Sequence, residues 1–341
     1  EAYLTHGMED YFEPAIHIRH NDNNSSLLLK YVDHSSNAIG NGVNETVITL
    51  KDDKYPVTVK LHYVAYGKEN IIRAFSEISH EEKKPVILCK YASSMLHLNS
   101  SKYFLTEFSG DWAHEANVTE RELAFGKKVI DTKLGARANM FVSPFFQLAL
   151  DNPSQENAGE VLVGTIGWTG NFRFTFEVDN KNELRIISGI NPYDSEYSLP
   201  AKEVFRTPDF YFTYSTQGKG EASRNFHDWA RNHQVKNGND TRMTLLNNWE
   251  STYFDFDENK LIGLMDEATK LGVDMFLLDD GWFANKYPRS SDHQGLGDWE
   301  ETADKLPNGV GRLVEEAQKK GIKFGIWICL LYTSPSPRDR G

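Results

Sequence analysis

The sequence predicts two folds in succession: a large antiparallel β-sandwich, and after it the first β/α units of a parallel α/β domain. Short runs in which apolar and polar residues alternate fill residues 1–217, as expected for strands that bury one face. Near Gly218 the pattern changes to buried apolar runs separated by amphipathic helices, which is typical of a parallel sheet. The length of 341 residues agrees with two domains, since domains mostly contain about 100–200 residues.

Composition limits the classes of function. With 20 Phe, 15 Tyr and 7 Trp, the chain has enough apolar material for large cores. Acidic residues outnumber basic ones 49 to 37, and the net charge of −12 disfavours binding to nucleic acid or to an anionic membrane. The two cysteines, Cys89 and Cys329, exclude a disulfide framework and favour a reducing compartment, so we expect a cytoplasmic protein. No apolar run approaches the roughly 20 residues of a membrane helix.

Residues 1–217 are predicted to form a sandwich of more than ten strands. Residues 57–63 and 172–178 alternate apolar and polar side chains most strictly. Turn-forming residues separate such runs, among them Asp52-Asp53 and Asp179-Asn180. Many short strands joined by turns indicate antiparallel pairing.

Residues 218–240 and 241–328 follow a different pattern. The helical spacing of Ala222, Phe226 and Trp229 predicts a helical linker over residues 218–240. Three buried strands are expected at residues 243–249, 275–280 and 322–328. The helix between the first two is expected over residues 258–271, and Asn308 is expected to cap a second helix that ends near Gly321. Three parallel strands connected by helices begin an open sheet or a barrel.

Residues 329–341 do not continue this pattern. They contain Pro335 and Pro337 and show no helical periodicity. Two interpretations stay open: a disordered tail, and a foreign extension joined after Ile328. The second agrees better with the sequence, because a β/α array cannot close on three strands.

Two adjacent carboxylates, Asp279 and Asp280, end the second of the three buried strands. Functional residues of β/α enzymes lie at this solvent-facing carboxyl end, and neighbouring strand residues point in opposite directions, so the pair can bind two different groups. Trp249 and Trp327 lie at the equivalent ends of the first and third strands, and Trp299 follows in a loop. Indole faces beside carboxylates are typical of a sugar site, because a sugar combines apolar C–H faces with hydroxyl groups.

Each of these residues also has a structural interpretation. An aspartate after a strand often caps a helix, a tryptophan often belongs to a core, and the loop that contains Asp298 and Trp299 can pack as a lid. The coincidence of carboxylates and indoles favours binding. The eleven histidines lack metal-ligand spacing, and the sequence has no phosphate-binding glycine loop or nucleophile elbow, so we expect no metal and no cofactor.

Several sequence blocks resemble the glycoside hydrolase family 36 α-galactosidases, or melibiases. The resemblance extends from Glu1 to Ile328. Two blocks lie in the N-terminal region, Ser109-Gly110-Asp111-Trp112 and Gly189-Ile190-Asn191-Pro192. Four more follow in order in the C-terminal region: Leu246-Asn247-Asn248-Trp249-Glu250-Ser251-Thr252-Tyr253-Phe254-Asp255-Phe256, Leu278-Asp279-Asp280-Gly281-Trp282-Phe283, Leu296-Gly297-Asp298-Trp299 and Gly321-Ile322-Lys323-Phe324-Gly325-Ile326-Trp327.

The resemblance implies a β-supersandwich followed by a (β/α)8 TIM barrel, with its first three strands in residues 241–328. It also implies hydrolysis of terminal α-galactosides, such as melibiose and raffinose sugars, with retention of configuration and without a metal or cofactor. By the family pattern, Asp279 and Asp280 hold the galactose hydroxyls at positions 4 and 6, while Trp249 and Trp327 line the pocket. The full-length form is expected to be a homo-oligomer, as the family's tetramers are.

The sequence departs from the family pattern after Ile328. The family continues with Glu-Pro-Glu-Met, whereas this chain has Cys329-Leu330-Leu331, and the blocks with the nucleophile and acid/base aspartates are absent. We therefore expect a fragment, truncated at both ends, that is inactive because it holds no catalytic residue. Two alternatives stay open: a noncatalytic carbohydrate-binding β-sandwich protein, and a related galactosyltransferase that makes raffinose-type sugars.

Overall fold

The chain divides into two compact units, Glu1–Asn239 and Asp240–Gly341. The computed structural model describes residues 2–7 and 10–329. Within these residues, the first unit contains sixteen strands: β1 (Ile16–Arg19), β2 (Leu29–Gly40), β3 (Val43–Asp52), β4 (Val57–Tyr66), β5 (Ile71–His80), β6 (Val86–Asn99), β7 (Tyr103–Ser109), β8 (Asn117–Glu122), β9 (Gly126–Asp131), β10 (Val142–Leu150), β11 (Val161–Gly167), β12 (Phe172–Val178), β13 (Glu183–Ile190), β14 (Tyr197–Leu199), β15 (Val204–Arg206) and β16 (Asp209–Ser215).

These strands form two antiparallel sheets. The smaller sheet has six strands in the order β1-β6-β13-β12-β9, with β14 also paired to β6. The larger sheet has ten strands in the order β2-β3-β4-β5-β16-β11-β10-β7-β8, with β15 also paired to β5. The predicted antiparallel β-sandwich is therefore confirmed.

The core of the first unit lies between the two sheets, and aromatic side chains fill much of it. The alternating residues Phe172, Phe174 and Phe176 of β12 are all buried. The ring of Phe146, on β10 of the other sheet, lies 5.2 Å from Phe174 and 4.9 Å from Phe176 between ring centroids, in edge-to-face contacts. The two-residue period of a strand thus places one face of β12 in the core.

The segment 218–240, expected to be a helical linker, begins with helix α1 (Gly218–Trp229) and a π-helical turn over Ala230–Gln234. The apolar side of α1 packs on the larger sheet: Trp229 is buried, with ring centroids 4.5 Å from Tyr211 and 5.9 Å from Tyr66. Residues 218–239 therefore belong to the first unit.

The second unit is built on a parallel sheet. Within the residues described, its three strands pair in the order β17 (Leu245–Asn247), β18 (Met275–Leu278) and β19 (Lys323–Ile326). Its helices are α2 (Trp249–Thr252), α3 (Glu258–Lys270) and α4 (Gly309–Lys319). The buried residues Leu261, Met265, Phe276 and Leu313 join the helices to the sheet in one core. The predicted order of strands and helices is confirmed.

The strands are shorter than predicted. The first was expected over residues 243–249 and covers Leu245–Asn247, because the Asn247 side chain accepts the backbone N–H of Trp249 at 2.7 Å and turns the chain into α2. Asn308 is the N-cap residue of α4, as predicted, but its side chain makes no capping hydrogen bond. The Asn308 Nδ2 donates instead to the buried Glu258 carboxylate at 3.0 Å.

Residues 330–341, which hold most of the predicted tail, lie outside the described residues. In residues 2–7 and 10–329, no helix has the length and apolar character that crossing a membrane requires. The same residues contain no group of three or more His, Cys, Asp or Glu side chains arranged to hold a metal ion.

Candidate functional site

The predicted site residues lie in the second unit, beyond the carboxyl ends of its parallel strands. We call the residues that follow β17, β18 and β19 the rim. Trp249 begins α2 directly after β17, Asp279 and Asp280 follow β18, and Trp327 follows β19. Trp299 is in the connection between β18 and α4, and its ring packs against residues of the rim.

Asp279 is held by two asparagines at the carboxyl end of β17, Asn247 in the strand and Asn248 directly after it. The Asn248 Oδ1 accepts the backbone N–H of Asp279 at 2.8 Å, and the Asn247 Nδ2 donates to the Asp279 Oδ2. The other oxygen, Oδ1, accepts the backbone N–H of Asp280 at 2.7 Å. Because Asn247 also binds the backbone of Trp249, one side chain connects an acidic and an aromatic residue of the predicted site.

Asp280 is buried rather than solvent-facing, with 8% of its surface exposed. Its carboxylate pairs with Arg289 through two hydrogen bonds, from Nε to Oδ1 at 2.6 Å and from Nη2 to Oδ2 at 2.6 Å. The Arg289 side chain is 3% exposed, and its Nη1 donates to the carbonyl of Gln294 at 2.5 Å. A bidentate pair of this kind has a defined plane, so the orientation of the Asp280 carboxylate is fixed.

The aromatic residues form two separate groups. The Trp327 group contains Trp282, Phe283, Trp299 and Trp327: the Trp299 ring centroid lies 4.4 Å from that of Phe283 and 6.2 Å from that of Trp327. The Trp282 Nε1 donates to the Trp327 carbonyl at 2.9 Å. The structure therefore brings together Trp299 and Trp327, two of the predicted site residues.

The Trp249 group contains Trp249, Tyr253 and Phe254. The Trp249 ring makes edge-to-face contacts with Tyr253 and Phe254, at centroid distances of 5.4 Å and 4.9 Å. Tyr253 adopts a positive φ of 47°, which is uncommon for a residue with a side chain. Strained residues of this kind are often found at functional sites.

The connection between Gly281 and Asp298 folds back on itself. Gly281 and Gly295 adopt φ values of 94° and 73°, which favour glycine. Asp298 is buried, and its Oδ2 accepts the backbone N–H groups of Lys286 and Tyr287, each at 3.1 Å. Asp298 thus organises the loop that carries Arg289.

Lys305 is a second side chain that holds this loop in place. Its Nζ donates to the carbonyls of Phe254, Gly281 and Arg289, at 2.9, 3.1 and 3.4 Å. Burial lowers the pKa of Lys305, and the nearby carboxylates of Asp280 and Asp255 oppose this shift. The ammonium group therefore loses part of its hydration and donates its hydrogen bonds to backbone carbonyls instead.

Sequence reasoning missed Arg289 and Lys305. Both lie in polar stretches without periodicity, and neither has a short motif that indicates its partner. Asn247 and Asn248 had a usable signal, because two amides at the end of a buried strand are well placed to bind the backbone of the next strand.

The arrangement can accept hydrogen bonds from a polyhydroxylated ligand. Asp279 and Asp280 supply fixed acceptors whose protein partners leave further lone pairs, and the indoles supply apolar faces. Residues 1–200 match the Glycosyl hydrolase family 36 N-terminal domain, and residues 204–334 match Melibiase. The chain belongs to glycosyl hydrolase family 36.

Curated relatives of this chain are α-galactosidases. Alpha-galactosidase Mel36A of Lactobacillus acidophilus is 30% identical over 344 residues, which cover 96% of this chain and 46% of the relative. Alpha-galactosidase AgaA of Geobacillus stearothermophilus is 32% identical over 315 residues, which cover 92% of this chain and 42% of the relative. The chain thus spans less than half the length of these relatives.

Solved structures agree with the predicted fold class. The crystal structure of AgaA matches with a TM-score of 0.88 at 30% identity, covering 96% of this chain and 47% of that one. The α-galactosidase of Lactobacillus brevis matches with a TM-score of 0.87 at 28% identity, covering 96% and 46%. Variants of AgaA have been solved in complex with raffinose and with stachyose. The fold is thus an N-terminal β-sandwich domain followed by part of a TIM barrel.

Proposed function

We propose that this chain is part of an α-galactosidase that hydrolyses terminal α-D-galactosyl residues of melibiose- and raffinose-type sugars. The relatives named above are α-galactosidases, and AgaA variants bind raffinose and stachyose in crystals. One observation in this chain carries the proposal: Asp279 and Asp280 follow the central strand of the parallel sheet, and each is oriented by protein donors. Fixed carboxylates of this kind suit the hydroxyl groups of a sugar.

In this proposal the site residues bind the sugar rather than react with it. Asp279 and Asp280 accept hydrogen bonds from the galactose hydroxyls at positions 4 and 6, and so select galactose over glucose. Trp249 and Trp327 line the pocket that surrounds the ring, and Trp299 packs on Trp327 at its side. The apolar C–H face of galactose would lie on an indole.

The proposed chemistry is a retaining double displacement. Such a mechanism needs a nucleophilic carboxylate and an acid/base carboxylate about 5–5.5 Å apart. We propose that both are aspartates of later barrel strands, so that residues 1–328 hold binding residues and no catalytic residue. A chain without them lacks the covalent pathway and is inactive.

The test compares this chain with a chimaera in which residues 1–328 are followed by the C-terminal part of AgaA. The chimaera should release nitrophenol from a nitrophenyl α-galactoside and not from the α-glucoside. The 341-residue chain should release none above a mock preparation, but should bind galactose more tightly than glucose in calorimetric titration. Turnover by the 341-residue chain would contradict the assignment of the catalytic residues to later strands, and a folded chimaera that prefers the glucoside would contradict the galactose site.

The chimaera and the first unit also distinguish the two alternative functions. Formation of raffinose-type products from a galactosyl donor by the chimaera would indicate a galactosyltransferase. Sugar binding by the first unit alone, without a contribution of the rim, would indicate a noncatalytic carbohydrate-binding protein. For the full-length form we propose a cytoplasmic homo-oligomer, a tetramer, whose mass can be measured by light scattering.

A further inference from the structure

We propose that Arg289 is the positioning residue of the candidate site. Its guanidinium would aim the Asp280 carboxylate at one sugar hydroxyl and hold the Trp249 group and the Trp327 group at their separation. This inference rests on the proposed sugar-binding function, and it concerns a residue that itself touches no sugar in the proposal.

The first step is the orientation of Asp280. Both carboxylate oxygens accept hydrogen bonds from Arg289 at 2.6 Å, so the carboxylate plane is set by the guanidinium plane. Each carboxylate oxygen can accept a further hydrogen bond, and the geometry of the pair limits the direction from which it comes. A hydroxyl group in that direction would bind, whereas one elsewhere would not.

The second step is the contact of Arg289 with both aromatic groups. Its guanidinium carbon lies 5.5 Å from the ring centroid of Phe254 and 5.4 Å from that of Phe283. Phe254 contacts Trp249, and Phe283 contacts Trp299 and stacks with Trp327 at a centroid distance of 6.2 Å. One buried cation therefore contacts both sets of rings that carry the predicted sugar-binding indoles.

The third step is that this role requires arginine. Lysine has a single ammonium group, which cannot make two parallel hydrogen bonds to a carboxylate. Lys305, the neighbouring cation, binds three backbone carbonyls and holds the Arg289 backbone in place rather than the Asp280 carboxylate. The pairing of Asp280 thus depends on Arg289.

The test measures calorimetric affinities of the 341-residue chain for galactose, 4-deoxygalactose and 6-deoxygalactose. Asp280→Asn should weaken galactose binding about tenfold or more and leave the affinity for one deoxy sugar unchanged, which identifies the hydroxyl that Asp280 binds. Arg289→Lys should weaken galactose binding more than the binding of that same deoxy sugar, which loses only the contribution of the displaced rings. Arg312→Lys is the matched control, because Arg312 makes a partly exposed ion pair with Glu316 on α4. This control should bind all three sugars as the parent does.

A double variant addresses the stability of the fold. Asp280→Asn with Arg289→Gln leaves no unpaired charge in the buried site, so it should fold even where Arg289→Lys does not. Because Arg289 aims Asp280, adding Arg289→Gln to Asp280→Asn should weaken the binding of galactose and of the two deoxy sugars by the same factor, which is the contribution of the displaced rings. A further loss confined to the hydroxyl that Asp280 binds would overturn the inference, as would an equal loss of affinity for all three sugars in Arg289→Lys.

A sugar-independent measurement separates this inference from the proposed function. Near-ultraviolet circular dichroism should change in Arg289→Lys, where the two aromatic groups repack, and not in Arg312→Lys. An unchanged spectrum would overturn the positioning of the rings. If the parent chain does not bind galactose, or if Asp280→Asn binds it as tightly as the parent, the proposed sugar site fails and the inference about Asp280 fails with it. The circular dichroism spectrum of Arg289→Lys then still tests whether Arg289 positions the aromatic rings.

Discussion

Asn248 holds the backbone of Asp279: its Oδ1 accepts the Asp279 N–H at 2.8 Å, between the ends of two neighbouring strands. Asn248 is completely buried, and its Nδ2 donates to the Thr252 Oγ1 at 2.9 Å. A single amide therefore joins the end of β17, the end of α2 and the turn after β18. The position of a predicted sugar-binding carboxylate depends on a residue beneath it.

Replacing this amide tests its contribution. Asn248→Ala removes the acceptor for the Asp279 N–H and leaves this part-buried donor without its partner, so the free energy of unfolding of the second unit should fall by about 1–3 kcal/mol. Urea denaturation followed by tryptophan fluorescence measures this, because Trp249, Trp282, Trp299 and Trp327 all belong to that unit. The exposed Asn259 of α3 is the control, and Asn259→Ala should change the stability by less than about 0.5 kcal/mol. Equal stabilities for the two variants would contradict the role of Asn248.

Much of the fold was predictable because the relevant signals are local. Strand β12 was predicted over the same residues, 172–178, that it occupies, since strict alternation puts Phe172, Phe174 and Phe176 in one core. The order of strands and helices in the second unit was equally clear. The approximate location of Asp279 and Asp280 followed from that order, although their binding role stays a prediction.

The features that could not be predicted depend on contacts between side chains that do not form a local sequence pattern. Asparagine is a residue type whose side chain often caps a helix, but the Asn308 side chain donates to the buried carboxylate of Glu258 instead. Asp280 was expected to face solvent, and the fold of the following loop brings Arg289 over it. Local propensity contains no information about such a partner, because loop geometry decides which side chains meet.

The pair of Asp280 and Arg289 predicts a stability effect that an exposed aspartate would not have. Asp280→Asn leaves the Arg289 charge buried without its counter-ion, which should lower the free energy of unfolding of the second unit by about 3 kcal/mol or more. The control is Asp266→Asn, since Asp266 is half-exposed and pairs with Lys320 at the surface. Urea denaturation at neutral pH measures both variants. A loss for Asp280→Asn no greater than for Asp266→Asn would show that the buried pair does not stabilise the fold.

The ionisation of Glu13 is expected to make the stability of the first unit depend on pH. Burial raises the pKa of Glu13, but the ammonium groups of Lys90 and Lys127 outweigh this and lower it to about 2. A carboxylate with a depressed pKa contributes stability that is fully present above its unfolded value near 4.5 and is lost as the pH falls toward 2. Glu13→Gln should therefore be less stable than the parent by about 1–2 kcal/mol at pH 7, a figure reduced for partial solvent screening, and equally stable near pH 2.

The measurement is the free energy of unfolding from circular dichroism at several pH values between 2 and 7. Burial also lowers the pKa of Lys90, which reduces the net gain from the pair but does not change its sign. The exposed Glu203 supplies the control, and Glu203→Gln should follow the parent at every pH. A constant difference between Glu13→Gln and the parent across this range would contradict the assigned ionisation.

Gly281, directly after the two aspartates, predicts opposite effects for two glycine substitutions in the same unit. Gly281 has a φ of 94°, and a Cβ there would lie 3.0 Å from the Phe254 ring and 3.4 Å from the Lys305 Nζ. Gly281→Ala should therefore destabilise the second unit by about 1–3 kcal/mol, because it strains the backbone and displaces Phe254, whose ring contacts Trp249. Gly263, within α3, has open space around its Cβ position. Gly263→Ala should stabilise the helix by about 0.5–1 kcal/mol. Urea denaturation measures whether each substitution lowers or raises the free energy of unfolding. A Gly281→Ala protein as stable as the parent would mean that the turn after Asp280 does not need glycine.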